Sequence, residues 1–242
     1  METIERHARV VDRGLPPPTP PESDQPEIAG RALPTALLLC GVLSPVVYVV
    51  ADIVASRRYP GFSYADQAVS ELFAIGAPTS DLVVTLFTLS SGLLLAFGLG
   101  VWSFANRRAE RFLAVALAFS AINALVLWNF FPMHMRGEAR SMTDTMHLVL
   151  AVNPFVLLSL VCAAVAVGGW FRVYTIATTV AIIALAMFAF SYAPAVDANG
   201  PTPWMGLTER IGQYGYGVWQ ALLAVMLSVL PSATAPRSST AA

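Results

Sequence analysis

Apolar positions along this chain gather into six runs, separated by polar segments of two lengths. The runs are roughly residues 33–54, 82–104, 112–131, 146–167, 171–192 and 211–230. Each is about 20 residues, enough at ~1.5 Å rise per residue to cross a hydrocarbon core of roughly 30 Å. The pattern predicts an all-α fold, a polytopic transmembrane bundle of six helices. The second and fourth connections are very short, so helices 2–3 and 4–5 are expected as tight antiparallel hairpins. The first, third and fifth connections are long.

Composition agrees. Hydrophobic residues make up 56% of the chain and charged residues only 12%, far from the balance of soluble domains. The net charge of −1 argues against a nucleic-acid partner, and membrane lipid is the expected one. All 14 cationic side chains are Arg. Nine of them lie in the tails and the short loops, or at their edges, and five in the long loops. By the positive-inside rule both termini are cytoplasmic and the long loops face outward, in a multi-pass protein of the cell membrane.

Residues 1–30 are different material. They carry Arg6, Arg9, Arg13, scattered acids and the run Pro16-Pro17-Pro18-Thr19-Pro20-Pro21. Such a segment buries too little apolar surface to order itself, which predicts a disordered cytoplasmic tail. A second reading makes the Pro run a docking site for a cytoplasmic partner. Residues 31–231 form the transmembrane domain and 232–242 a second disordered tail. The sequence carries no sign of oligomeric state.

The long outer loops hold most of the polar chemistry. Loop one (55–81) opens with a turn at Arg58-Tyr59-Pro60-Gly61. Ala65, Ala68, Val69, Leu72 and Phe73 then recur at the spacing of one apolar helix face. This predicts a short amphipathic helix at the membrane surface or capping the bundle. Asp66, Gln67, Ser70 and Glu71 fall on its other side, either solvated or, for Glu71 and Asp66, turned into a shared cavity. Pro78-Thr79-Ser80-Asp81 has the chemistry of an N-cap for helix 2.

Loop three (132–145) contains His134, with His147 just beyond it, and Arg136, Glu138, Arg140 and Asp144 between the two. Asp144 and His147 are three apart and share a helix face. Three readings stay open. Two imidazoles and a carboxylate, His134, His147 and Asp144, could hold a divalent metal and activate its water. The same groups could form a metal-free polar site. Or Ser141-x-x-Asp144 is a capping box with the rest solvated. No cofactor beyond that metal is suggested. Loop five (193–210) ends in Thr208-Glu209-Arg210, with Thr208 as the expected N-cap of helix 6. Arg210 sits where the helix dipole disfavours a cation, which implies a partner: Asp144, Glu71 or a bound anion.

Inside the bundle ionisable residues are nearly absent; Asp52 lies near the outer end of helix 1. Without a midplane row of acids, a proton pump or ion channel is not indicated. Asn123 and Asn153 fall about 12 Å deep by helical rise and are placed to bond across the hairpin. Pro154 frees a carbonyl one turn back, near Leu150. Gly212, Gly215 and Gly217 permit close approach of helix 6. Cys40 and Cys162 lie within spans, and no disulfide is expected.

Several segments together resemble a known family. Arg58-Tyr59-Pro60-Gly61-Phe62-Ser63, Gln67-Ala68-Val69-Ser70-Glu71-Leu72 and Gly76-Ala77-Pro78 look like the first outer loop of domain-of-unknown-function family 998, bacterial and archaeal membrane proteins. Phe131-Pro132 with His147, and Gly206-Leu207-x-Glu209-Arg210-Ile211 with Trp219, fit it too. Residues 133–136 depart from its usual third loop. The resemblance spans about 33–230 and implies a six-helix membrane protein; it brings no reaction, substrate or cofactor.

Two functional readings follow. The first is a lipid-binding, accessory or transporter-like bundle with a polar site formed by the outer loops. The alternative is a membrane-embedded enzyme acting on a lipid or prenyl-like substrate at the outer leaflet. There Glu71, Asp144 and His147 would serve as acid–base groups, with Arg136, Arg210 and Tyr59 binding the substrate.

Overall fold

The structure, a computed structural model, describes residues 25–229, with side chains from Leu33 onward. Most of both terminal tails, including the Pro run, lies outside the described residues. Eight α-helices follow in order: α1 Gln25–Arg58, α2 Ser80–Phe104, α3 Arg108–Phe130, α4 Met142–Ala151, α5 Pro154–Ala166, α6 Gly169–Phe190, α7 Ala193–Asp197 and α8 Met205–Val229. Among the described residues no strand is present.

Five helical stretches are long and apolar enough to cross a membrane: Leu33–Arg58, Ser80–Phe104, Arg108–Phe130, Met142–Ala166 and Gly169–Asp197. The chain is therefore a membrane-embedded, multi-pass helical protein. The segment expected as a sixth span forms α8, 25 residues long, but it is less apolar than these five and is not among them. The cause is visible in its packing. One face, Glu209, Gln213, Tyr216 and Gln220 at i, i+4, i+7 and i+11, turns toward the centre of the bundle, so its polar residues need not meet lipid.

The helices close into a ring in which each packs mainly on two neighbours: α1 on α2, α2 on α3, α3 on α5, α5 on α6, α6 on α8, and α8 back on α1. The half of the ring near the short loops is solid. Leu38, Phe97, Leu117, Leu160, Phe171, Trp219 and Leu223 pack there into one core, each essentially inaccessible. A second, smaller core under the first long loop joins Ala51, Ala55, Leu72, Phe73, Val83 and Phe87. Between them the ring is hollow.

Polarity is inverted relative to a soluble protein. Leu43, Val50, Leu99, Val165, Val173 and Val180 are exposed around the circumference, whereas Ser44, Ser90, Ser91, Ser120, Ser159, Thr175 and Gln220 are buried. The buried groups form interhelical rungs. Ser90 Oγ donates to Ser44 O at 2.9 Å, Trp128 Nε1 to Ser91 Oγ at 2.9 Å, Trp219 Nε1 to Thr175 Oγ1 at 3.0 Å, and Gln220 Nε2 to Gly41 O at 3.0 Å. Such bonds contribute about 0.6–2 kcal/mol each in a bilayer. Cys40 and Cys162 are free thiols.

The fourth span is broken. Asn153 adopts the left-handed conformation at φ 36°, which Asn tolerates better than most residues, and Pro154 opens α5. Pro154 has no N–H, so Leu150 O loses its i+4 donor; it accepts the Asn153 N–H at 3.0 Å and Asn123 Nδ2 at 2.8 Å. Asn153 Nδ2 bonds back to Ser120 O and Oγ at 3.2 and 3.1 Å. The two Asn residues therefore bridge the hairpin, as their depth implied, and tie the break to α3.

The loops differ from expectation at three points. The amphipathic helix read over 65–73 is instead a five-residue 3₁₀ helix, Val69–Phe73. Of its polar side Asp66, Gln67 and Ser70 are half-buried, whereas Glu71 is buried and accepts the Ala68 N–H at 2.9 Å, tightening the turn. Thr79 stands at the N-cap of α2, but its hydroxyl donates to Leu72 O at 2.7 Å rather than capping. Helix α8 starts a turn early, at Met205, so Thr208 lies inside it and donates to Trp204 O.

Close contact between α1 and α2 depends on Gly100. A Cβ there would sit 2.9 Å from both Leu38 N and Leu37 Cβ. Because one obstacle is backbone, the helices would have to part. Gly100→Ala is expected to lower stability by about 1–3 kcal/mol, read as an earlier midpoint of detergent-induced unfolding; an unchanged midpoint would show that the helices are less tightly seated.

Candidate functional site

The three long loops converge at one end of the ring, called here the long-loop end, and buried ion pairs hold them there. The deepest joins α1 to α8. Arg210 Nε and Nη2 each lie 2.9 Å from a carboxylate oxygen of Asp52, a bidentate pair that is at most 1% exposed. Arg210 Nη1 donates to Tyr64 O and Gln67 O in loop one, both at 2.9 Å. Its guanidinium carbon stands 4.0 Å from the Tyr64 ring centroid. Tyr214 donates to Asp52 Oδ2 at 2.5 Å and meets the Tyr64 hydroxyl at 2.8 Å. Arg210 does have a partner, but it is Asp52 rather than Asp144, Glu71 or an anion. Gly206 makes the approach possible, since a Cβ there would fall 2.0 Å from Gln67 O.

The second pair joins loops one and three. Arg136 Nη2 and Nε reach Glu71 Oε1 and Oε2 at 2.8 and 3.0 Å. The same guanidinium donates to Gly200 O at 3.0 Å and Thr202 Oγ1 at 3.1 Å, bringing in loop five. Gln67 Nε2 and the Ala68 N–H complete the Glu71 carboxylate, each at 2.9 Å. Asp66 completes the seam by accepting the Trp204 N–H at 3.0 Å and the Ser63 hydroxyl at 2.8 Å. These two bonds hold its carboxyl below the usual range, and the first ties down Trp204 at φ 64°, an uncommon conformation for a bulky residue.

The expected histidine site divides in two. Asp144 closes a capping box with Ser141 at the start of α4, accepting the Ser141 N–H and hydroxyl at 2.8 Å each. It also takes the His134 N–H at 2.7 Å and stands 2.9 Å from His134 Nδ1. His147 is buried apart from them. Its Nδ1 bonds Phe131 O at 2.8 Å, and its ring lies 5.7 Å from that of Phe73. Among the described residues, no three His, Cys, Asp or Glu side chains come together as a metal would need. Tyr59 points to Met135, its hydroxyl 3.7 Å from Sδ, and burial first, then Glu71, pushes that phenol up.

Glu71, His147 and Arg210 thus share one end of the fold without bonding one another. Each is engaged by its own neighbours. Beneath them lies the hollow of the ring, a cavity of about 470 Å³, within the roughly 300–1,000 Å³ of small-molecule sites. Arg136, His134, Asp144 and His147 border it, and Ser44, Tyr48, Asn123, Trp128, Ile182 and Leu185 line its wall. Glu71, Arg210 and Tyr59 do not line it. Val152, Ile183 and Met187 border the cavity and are also strongly exposed. Since α4 packs chiefly on α3, the cavity opens sideways between α4 and α6.

Sequence reasoning missed Asp52 as the partner of Arg210, and it missed the polar stripe of α8. Both left a signal. A lone acid in an apolar span calls for a cation, and Glu209, Gln213, Tyr216 and Gln220 keep helical register.

The family described as "Protein of unknown function (DUF998)" matches residues 42–226. No curated protein matches the chain, and no solved structure does.

Two outcomes test this account. Asp52→Asn or Arg210→Met alone is expected to cost about 3–5 kcal/mol, because each leaves a buried charge uncompensated. The double variant Asp52→Leu with Arg210→Met should recover most of that loss in a detergent unfolding titration. A double variant as unstable as the two losses added would contradict it. Separately, His134→Ala and His147→Ala should act additively within about 0.5 kcal/mol, because the two share no hydrogen-bond partner; strong coupling would put both histidines back in one site.

Proposed function

The chain belongs to the DUF998 family of unknown function, spanning most of its length, and we propose that it binds a lipid-like amphiphile in the cavity at its long-loop end. The observation that carries this reading is the cavity itself: about 470 Å³, walled largely by apolar side chains, bordered by polar groups at one end, and open sideways between α4 and α6. An amphiphile matches both chemistries. Its chain would lie against residues such as Ile182 and Leu185, with its head group beneath the loops. A lateral opening suits a ligand that arrives from the bilayer rather than from water.

In this reading α8 is a sixth crossing, the N-terminus is cytoplasmic, and the long loops form an outward lid over the cavity. Glu71, Arg136, Asp52 and Arg210 serve as the clasp of that lid. Their full engagement with one another supports a structural role over acid–base chemistry, and the same holds for Asp144 in its capping box. The protein is then a binding or accessory component of the cell membrane.

Ala124 lines the cavity, and Ala124→Trp would fill much of it. The test is mass spectrometry of lipids that co-purify with protein stripped to a minimal detergent shell. The expected result is a defined amphiphile near one per chain in the unaltered protein and its loss in the equally folded variant. An identical lipid complement in both proteins would sink the reading.

A further inference from the structure

The charges around the cavity do not balance, and the imbalance falls on one residue. Arg136 is committed to Glu71, Arg140 to Asp197, Arg210 to Asp52, and His134 to Asp144. Glu138 has no cationic partner among the described residues but lies exposed on the loop surface. Glu209 is different. It borders the cavity from α8 and is only half-buried. One oxygen, Oε2, accepts the Val69 N–H at 3.0 Å; among the described residues no hydrogen bond or ion pair engages the other. The guanidinium beside it in sequence is already spent on Asp52, Tyr64 O and Gln67 O.

One turn further along the same face stands Gln213. It also borders the cavity, is exposed into it, and its amide has no hydrogen-bond partner among the described residues. The two remaining members of the stripe are engaged: Tyr216 meets Ser159 Oγ at 3.2 Å and Gln220 bonds Gly41 O. The stripe is therefore closed at its deep end and open at its lid end. A carboxylate oxygen and an amide oxygen one helical turn apart are two acceptors facing one space. An ionised carboxylate at the edge of an apolar cavity is costly unless a cation answers it or it takes up a proton, and an ammonium group satisfies either form.

We infer that Glu209 and Gln213 form a head-group site for an amphiphile that carries a primary ammonium. The inference rests on the amphiphile-binding reading and deepens it by naming the charge of the ligand. The ammonium supplies donors to both acceptors and neutralises Glu209, while its alkyl chain runs toward the apolar wall between α4 and α6. An anionic head group would meet Glu209 as a like charge.

The test uses three probes with one chain length: dodecylammonium, dodecanol and dodecanoate. Saturable binding is measured by titration calorimetry on the full chain embedded in phosphatidylcholine nanodiscs. Ala124→Trp is the background control, followed by the loss of saturable binding. The unaltered protein should bind dodecylammonium at least about 10-fold more tightly than dodecanol, the scale of one charge-assisted contact, with dodecanoate weakest. Glu209→Gln keeps an acceptor for the Val69 N–H and should lose the preference for dodecylammonium over dodecanol. Equal saturable binding of all three probes would overturn the inference and leave the amphiphile reading standing, as would an undiminished preference in Glu209→Gln. No saturable binding of any probe would overturn both. Should Glu209→Gln fail to fold, the order of the three probes on the unaltered protein decides the matter alone.

Discussion

The bidentate pair between Asp52 and Arg210 is the constraint on which the long-loop end depends. Neither charge is tolerable alone in so dry a place. Once paired, they fix far more than each other. Asp52 anchors the pair to α1, and Arg210 fixes the start of α8. The remaining guanidinium donors seize two carbonyls of loop one, and Tyr214 closes the fourth side. With that loop pinned, Glu71 is presented to Arg136, and Arg136 in turn holds loop five through Gly200 and Thr202. The lid is a chain of dependencies that begins with one buried carboxylate.

Much of this architecture was legible in the sequence, where the physics is local. Apolar runs of spanning length mark the helices. Pro154 announces a carbonyl without its i+4 donor, and the depth of Asn123 places an amide within reach of it. Ser141-x-x-Asp144 spells a capping box that Asp144 indeed closes. The misplaced cation at Arg210 correctly signalled a partner. The identity of that partner was not legible, because 158 residues separate it from Asp52 and no local pattern spans such a distance. The period of nine residues in loop one was also too short to distinguish an amphipathic α-helix from a 3₁₀ turn whose two sides are both covered. The resemblance to the DUF998 family, carried by the first-loop residues, does hold.

The ring itself reflects how helices associate without a hydrophobic driving force between them. Small residues let backbones approach, as at Gly41 and Gly100, and hydroxyl and amide rungs add modest specific bonds. The large aromatic core and the Trp219–Thr175 rung lie in the half near the short loops, whereas the rungs at Ser90 and Ser91 run along the wall of the cavity. The other half gives up packing for space and recovers its rigidity from electrostatics at the lid. Two different kinds of interaction therefore hold the two ends of one bundle.

The break at Asn153–Pro154 has a geometric meaning of its own. Helix α4 is ten residues long, about 15 Å at ~1.5 Å per residue, which is half of a hydrocarbon core of roughly 30 Å. In the six-crossing arrangement we propose, with α4 starting at the outer surface, the floor of the hollow falls near the plane where the two lipid layers meet. A guest entering between α4 and α6 would come from one layer and keep its head on the side from which it came. The solid half beneath bars its passage to the other. In the amphiphile-binding reading we propose, such an architecture holds or presents a molecule within a single leaflet.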